Sequence, residues 1–239
     1  MSNNPFFESI GKIILDGGKE KVEDKSIKES VFITKPSTNF MQLQFLNQYL
    51  KSYDCCIAGG CFKNIFTGDK IKDIDIFFKD ERAWADVVSQ IRSDEAYKFY
   101  YENDKVISFK NTKTNIAIEL IKIKYGEPEQ LINDFDWTIT KFSYFKVKVE
   151  DEFTDEMTLQ SWHDEYKCLF HKDFFEHLML HRLVADNNIL FPINSFERAL
   201  RYKGYGYSMC RETKEKLIVA IHDSNLDEDI SKSLYDGMD

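Results

Sequence analysis

The run Lys72-Asp-Ile-Asp-Ile-Phe-Phe78 constrains this chain most, because it alternates acidic and apolar residues with the two-residue period of a strand. Ile74, Ile76 and Phe78 share one face and point to a core. Asp73 and Asp75 share the other, roughly 6 to 7 Å apart at their Cα atoms. Two carboxylates at the mouth of a buried strand repel each other and resist desolvation unless a cation stands between them. Mg2+ suits that place, since it binds through one or two carboxylates plus substrate phosphates, and Mn2+ is its substitute. Two such ions roughly 3.5 to 4 Å apart can clamp the attacking and leaving oxygens of an in-line phosphoryl displacement. Asp-x-Asp is also frequent as a plain surface pair, so the tripeptide alone leaves the choice open.

The residues just upstream favour the phosphate reading. Cys55-Cys-Ile-Ala58 has the form of a short buried strand, Gly59-Gly60 follows, and Cys61 opens a helix that runs to Phe66. Glycines at a strand-to-helix turn let a phosphate approach the backbone, and a helix start favours an anion. Lys63 lies within reach of the same place. By contrast, Asp16-Gly17-Gly18-Lys19 is followed by a charged run and reads as a turn. Glu119 is the third acid: Ile116, Ile118 and Leu120 on one face, with Ala117, Ile121 and Ile123 on the other, describe a strand buried on both sides. A glutamate there needs a metal or a partner, and Lys122 or a lysine of a neighbouring strand is the alternative to the metal.

The rest of the chain supplies an α+β frame. A helix is expected over 37–50, with Met41, Phe45, Leu46, Tyr49 and Leu50 on its inner side, and another over 81–91. Strands are expected at 97–101, 106–109 and 115–123. Past the acidic stretch 150–156 the pattern becomes helical, with Phe170, Phe174, Leu178 and Arg182 on one stripe. Further helices are expected over 197–203 and 211–222, before an acidic, frayed end. The expected architecture is a mixed β-sheet flanked by helices and followed by a small helical domain. Its divisions are a lead-in (1–37), a sheet domain (38–150) and a helical domain (151–239).

Composition excludes several classes. A formal charge of −9 over 239 residues argues against a broad non-specific grip on nucleic acid, and leaves room for a local basic groove. Five cysteines without regular spacing suit a reducing compartment better than a disulfide framework, and no Cys-x-x-Cys pair offers zinc a site. No stretch approaches the roughly 20 apolar residues of a membrane span, and the start lacks a signal-like core, so a cytoplasmic protein without a membrane partner is expected. His177 and His181 lie one helical turn apart, yet Glu176 precedes the pair, so the zinc-protease order is absent. His163-Asp164 and His222-Asp223 lack the remaining ligands of a phosphohydrolase. The sequence sets no oligomeric state.

These residues resemble the polymerase-β-type nucleotidyltransferases, and within them the head and neck of tRNA CCA-adding enzymes and bacterial poly(A) polymerases. Ala58-Gly59-Gly60, Lys63-Asn64 where Arg-Asp is common, Gly68 and Lys72-Asp73-Ile74-Asp75 match the family's first motif without a gap. Ile118-Glu119-Leu120-Ile121 is similar to its next strand, and Asp136-Trp-Thr-Ile-Thr140 to its Asp-Phe-Thr-Ile-Asn segment. Phe196-Glu-Arg-Ala-Leu-Arg-Tyr202 is similar to the neck stretch whose arginines face the nucleotide. The resemblance implies transfer of a nucleoside monophosphate from an NTP such as ATP to a hydroxyl, with an RNA 3′ end of the tRNA-processing kind as acceptor. Asp73 and Asp75 would hold the metals, and Glu119 would be a third ligand or the base that takes the hydroxyl proton. Gly59, Gly60 and Lys63 would meet the phosphates, and Asp136, Arg198 and Arg201 the nucleotide.

The chain also departs from that pattern. Asp134-Phe135 stand where two arginines are usual, no Glu-Asp-x-x-Arg helix is evident, and about 90 residues follow the sheet domain. A compact bacterial or phage-type member is therefore the closer likeness. The other readings are a non-catalytic nucleotide-binding or antitoxin-like module, and transfer to a protein or small molecule.

Overall fold

The computed structural model describes residues 31–151, 161–185 and 189–224. From its first described residues the chain forms β1 (Phe32–Pro36), 3-10 turns at Ser37–Asn39 and Met41–Tyr49, β2 (Cys55–Ala58), α1 (Cys61–Thr67), β3 (Asp73–Phe78) and α2 (Glu81–Ser93). It continues through β4 (Tyr97–Glu102), β5 (Val106–Asn111), β6 (Ala117–Tyr125), α3 (Pro128–Asn133), a 3-10 turn at Thr138–Thr140, β7 (Phe142–Glu150) and β8 (Trp162–His171). The last described elements are α4 (Phe174–Met179), β9 (Arg182–Leu183), α5 (Pro192–Gly204), β10 (Ser208–Met209) and α6 (Arg211–Asp223).

Eight of these strands make one sheet in the order β1-β8-β7-β2-β3-β6-β5-β4, and β9 and β10 pair separately. β3 and β6 run parallel at its centre, and the other neighbours in the large sheet are antiparallel. This is the expected mixed sheet with flanking helices.

Strand alternation divides the sheet into two faces. Ile57, Ile74, Ile76, Phe78, Ile118 and Leu120 pack with Leu43, Leu46, Phe62, Val87 and Ile91 into the main core, beneath α1 and α2. Burying each such side chain contributes about 1.5–3 kcal/mol. On the opposite face Cys56, Ala58, Phe77 and Leu169 meet Leu131 and Ile132 of α3 in a smaller cluster. Asp73 and Asp75 alternate with Ile74 and Ile76 and so belong to this second, thinly covered face. A knot of aromatic rings secures α1 and α4 to the sheet: Phe142 lies 4.4 Å from Phe62, 5.2 Å from Phe170 and 5.0 Å from Phe174 between centroids. Phe170, Phe174 and Phe175 thus serve as core.

Three elements differ from the sequence reading. Met41–Tyr49 is a 3-10 helix, so its buried residues are Leu43, Leu46 and Tyr49, three apart, while Met41 and Phe45 face outward. Trp162–His171 is a strand rather than the start of a helical region, and it carries the sheet past residue 150. The helical stripe misled because Phe170 ends a strand while Phe174 and Leu178 lie on α4, and the Lys172-Asp173 turn keeps them in phase. Residues 32–36, expected as lead-in, form the edge strand β1, with Pro36 at its end. The Gly17-Gly18 turn and most of the acidic end lie outside the described residues.

Candidate active site

β3 and β6 bring the three acids together. In their parallel register Asp73 stands beside Ala117 and Asp75 beside Glu119, which puts both aspartates and the glutamate on one face. Asp75 lies deepest: burial, then the Asp73 charge, then the Glu119 charge push its carboxyl well above the usual carboxylate range. Glu119 is only partly buried and Ile123 is exposed, so β6 is covered on both sides only in its first half, not throughout as its composition suggested. The Tyr101 hydroxyl donates to Glu119 Oε1 at 2.6 Å. Lys122, the partner considered for Glu119, instead pairs with Glu102 at 3.2 Å.

The diglycine does two different jobs. Gly59 has φ +102°, and a β-carbon on it would stand 3.4 Å from Asp75 Oδ2, so glycine is what allows the backbone to turn beside that carboxylate. Its N–H donates to the Phe142 carbonyl at 3.1 Å. Gly60, with φ −68°, caps α1 and faces Tyr202, whose Oη would lie 3.8 Å from an added β-carbon.

Between α1, the loop that follows it, the start of β3 and helix α5 lies a cleft of about 460 Å³. Its walls carry five cations, Lys63, Lys70, Lys72, Arg198 and Arg201, against the carboxylates Asp69 and Asp73. A volume of this size is in the range of small-molecule sites. Lys63 is 7% exposed, 3.7 Å from Asp69 Oδ2, and within cation–π reach of Tyr205 and Tyr207. Asp136 sits behind the wall: it accepts from Ser195 Oγ at 2.8 Å and from Arg198 Nε at 3.0 Å, fastening α5 to the segment that precedes the Thr138–Thr140 turn.

Gly60, Lys63, Asp73, Arg198 and Arg201 therefore meet in one cleft, Gly59 and Glu119 adjoin Asp75, and Asp136 acts on Arg198 from behind. Sequence reading passed over Lys70, Lys72 and Tyr205. The signal present was the closeness of Lys70 and Lys72 to Asp73 in the chain, and the place of Tyr205 directly after α5. His177 bonds to Thr138 Oγ1 at 2.8 Å and His181 lies beyond the end of α4 against Tyr207, so the two imidazoles do not form a pair. Burial pushes the Cys55 thiol up to about 11 and the Cys56 thiol to about 12, which leaves neither as a nucleophile near neutral pH.

Among the described residues no group of three or more His, Cys, Asp or Glu side chains could hold a metal ion. The donor set is nonetheless that of a hard cation, carboxylate oxygens gathered on one face. Asp73 and Asp75 fit Mg2+ on that ground, since it binds through one or two carboxylates together with substrate phosphates.

No helix of the described residues is long and apolar enough to cross a membrane. Among solved structures the fold is similar to a CCA-adding enzyme in complex with CTP, at TM-score 0.57 and 12% identity over 82% of this chain and 48% of that one. It is also similar to the Thermotoga maritima CCA-adding enzyme complexed with tRNA, at TM-score 0.54 and 14% identity over 82% of this chain and 47% of that one. Among curated proteins it is similar to Gabija anti-defense 2 of Bacillus phage SPbetaL7, 22% identical over 179 residues, which are 74% of this chain and 40% of the relative. The chain thus spans less than half the length of these relatives. The model of one family, the Gabija anti-defense 2 family proteins, matches residues 31–181. With most of its length matched by that model, the chain belongs to the Gabija anti-defense 2 family.

Proposed function

We propose that this chain is a magnesium-dependent nucleotidyltransferase that moves a nucleoside monophosphate from an NTP to a hydroxyl acceptor and releases pyrophosphate, in the service of countering Gabija defence. The observation that carries this reading is a single cleft in which five cations share the walls with Asp73, while Asp75 and Glu119 share the sheet face of Asp73. In a chain of net charge −9 such a concentration of positive charge is suited to a polyphosphate.

The roles follow from position. Lys63, Lys70 and Lys72 hold the triphosphate against the Gly60 backbone, and Arg201 meets the nucleotide from α5. Arg198 is oriented by Asp136, which acts on the nucleotide through it. Asp73 and Asp75 would hold Mg2+, which when bound supplies charge neutralisation for the reacting phosphates. Glu119, steadied by Tyr101, assists as a further ligand or as the base that takes the proton from the attacking hydroxyl. The hydroxyl oxygen bonds to the α-phosphorus as the bond to the bridging oxygen breaks, and pyrophosphate leaves.

The fold likeness to CCA-adding enzymes supports an RNA 3′ end as acceptor. Family membership supports a second acceptor, a hydroxyl on a component of the Gabija system itself. Incubating the chain with labelled NTPs, Mg2+ and either RNA or purified Gabija proteins separates them by where the label lands. NTP binding with no labelled product on any acceptor would instead establish a non-catalytic module.

A further inference from the structure

One aromatic ring of the cleft has no part in holding phosphate or metal. Tyr205 caps the end of α5, is 47% exposed and lines the cleft wall. Its orientation is held by the partly buried Tyr202 ring, which meets it edge-on at 90° with centroids 6.1 Å apart. Two ammonium groups stand over it, Lys63 Nζ at 5.3 Å and Lys72 Nζ at 5.8 Å from the ring centroid. These are the lysines a triphosphate would attract. A cation over an aromatic face gains far less than one paired with phosphate, so phosphate binding draws both away and uncovers the ring.

Two of the side chains that could read a base edge are meanwhile committed elsewhere. Arg198 directs Nε and one terminal nitrogen to Asp136, at 3.0 and 2.9 Å. Asn64 donates its side-chain amide to the Lys70 carbonyl at 2.8 Å. We infer that Tyr205 is the nucleobase platform of this cleft, stacking the base of an NTP after the triphosphate has drawn Lys63 and Lys72 off its face, with little reading of the base edge. This rests on the nucleotide-binding reading of the cleft. Stacking without edge readout favours the larger purine surface and discriminates weakly within each class.

The test is titration calorimetry of the whole chain with ATP, GTP, CTP, UTP, adenosine and inorganic tripolyphosphate, on wild type, Tyr205→Ala and Tyr205→Phe, with far-UV circular dichroism to verify folding. Expected are tighter binding of ATP and GTP than of CTP, UTP or tripolyphosphate, and weak binding of adenosine. Tyr205→Ala should lose roughly tenfold in ATP affinity with tripolyphosphate affinity unchanged, while Tyr205→Phe behaves as wild type. ATP affinity untouched by Tyr205→Ala, equal losses for ATP and tripolyphosphate, or a wild type that accepts one base alone would overturn the platform and leave the nucleotide site standing. A wild type that binds neither ATP nor tripolyphosphate would overturn both.

Discussion

Asp75 shows most clearly what the site costs the fold. Its carboxyl is raised by burial and by Asp73 and Glu119, so without metal the native state holds a proton over a pH range in which the unfolded chain, near 3.8, has released it. Stability therefore falls as pH rises through that window, and the deficit is complete above the raised value. Asp75→Asn should melt at a higher temperature than wild type near neutral pH in the absence of metal, with a flatter pH profile. Mg2+ should raise the wild-type midpoint and leave that of the variant nearly unchanged. A variant that melts lower at neutral pH would mean the carboxylate is held by structural partners. The glycines give a second comparison: Gly59→Ala forces a side chain to φ +102° beside Asp75 and should cost about 1–3 kcal/mol, whereas Gly60→Ala, with ordinary φ and room for its β-carbon, should be close to neutral in thermal melts. The acid pair and the diglycine were legible in the sequence because each follows from local chemistry. That Gly59 serves Asp75 while Gly60 faces Tyr202 was not, since it depends on a helix some 140 residues downstream.

At the scale of elements, β3 was legible because its apolar residues alternate and its neighbours begin with turn residues, whereas Trp162–His171 was not. Its inward residues Tyr166, Cys168 and Phe170 carry the two-residue period, but the α4 residues beyond continue at a spacing of four, and a spacing of four fits both periods. The 3-10 run Met41–Tyr49 was misread for a related reason, since spacings of three and four both suit an α-helix and only the buried set Leu43, Leu46 and Tyr49 separates them. Helix α5 was recognised, yet its two arginines were indistinguishable on sequence. The structure parts them: Arg198 pairs with the buried Asp136, and Arg201 is exposed in the cleft. Arg198→Ala should destabilise by about 1.5–3 kcal/mol through loss of charged hydrogen bonds to Asp136. Arg201→Ala should stay within about 0.5 kcal/mol of wild type while weakening NTP binding. Denaturant melts paired with binding titrations read both, and equal destabilisation by the two changes would contradict the division of labour.

The whole molecule joins a mixed sheet that aims three acids at one face to a short helical segment that closes a basic cleft in front of them. An acidic chain with a basic cleft repels polyanions generally and concentrates a small one locally, which agrees with an NTP site. Family membership covers the sheet and α4, residues 31–181, and so includes both aspartates and Glu119, while Arg198, Arg201 and Tyr205 lie beyond it. On the proposed reading Asp73 and Asp75 are catalytic carboxylates rather than a structural pair. Its most direct test is label transfer from each α-labelled NTP by wild type, Asp73→Asn and Asp75→Asn, with Mg2+, in the presence of RNA and of Gabija proteins. Wild type should give a labelled acceptor and released pyrophosphate, and each folded variant a loss of about 100-fold or more. Undiminished transfer by either variant would contradict that reading.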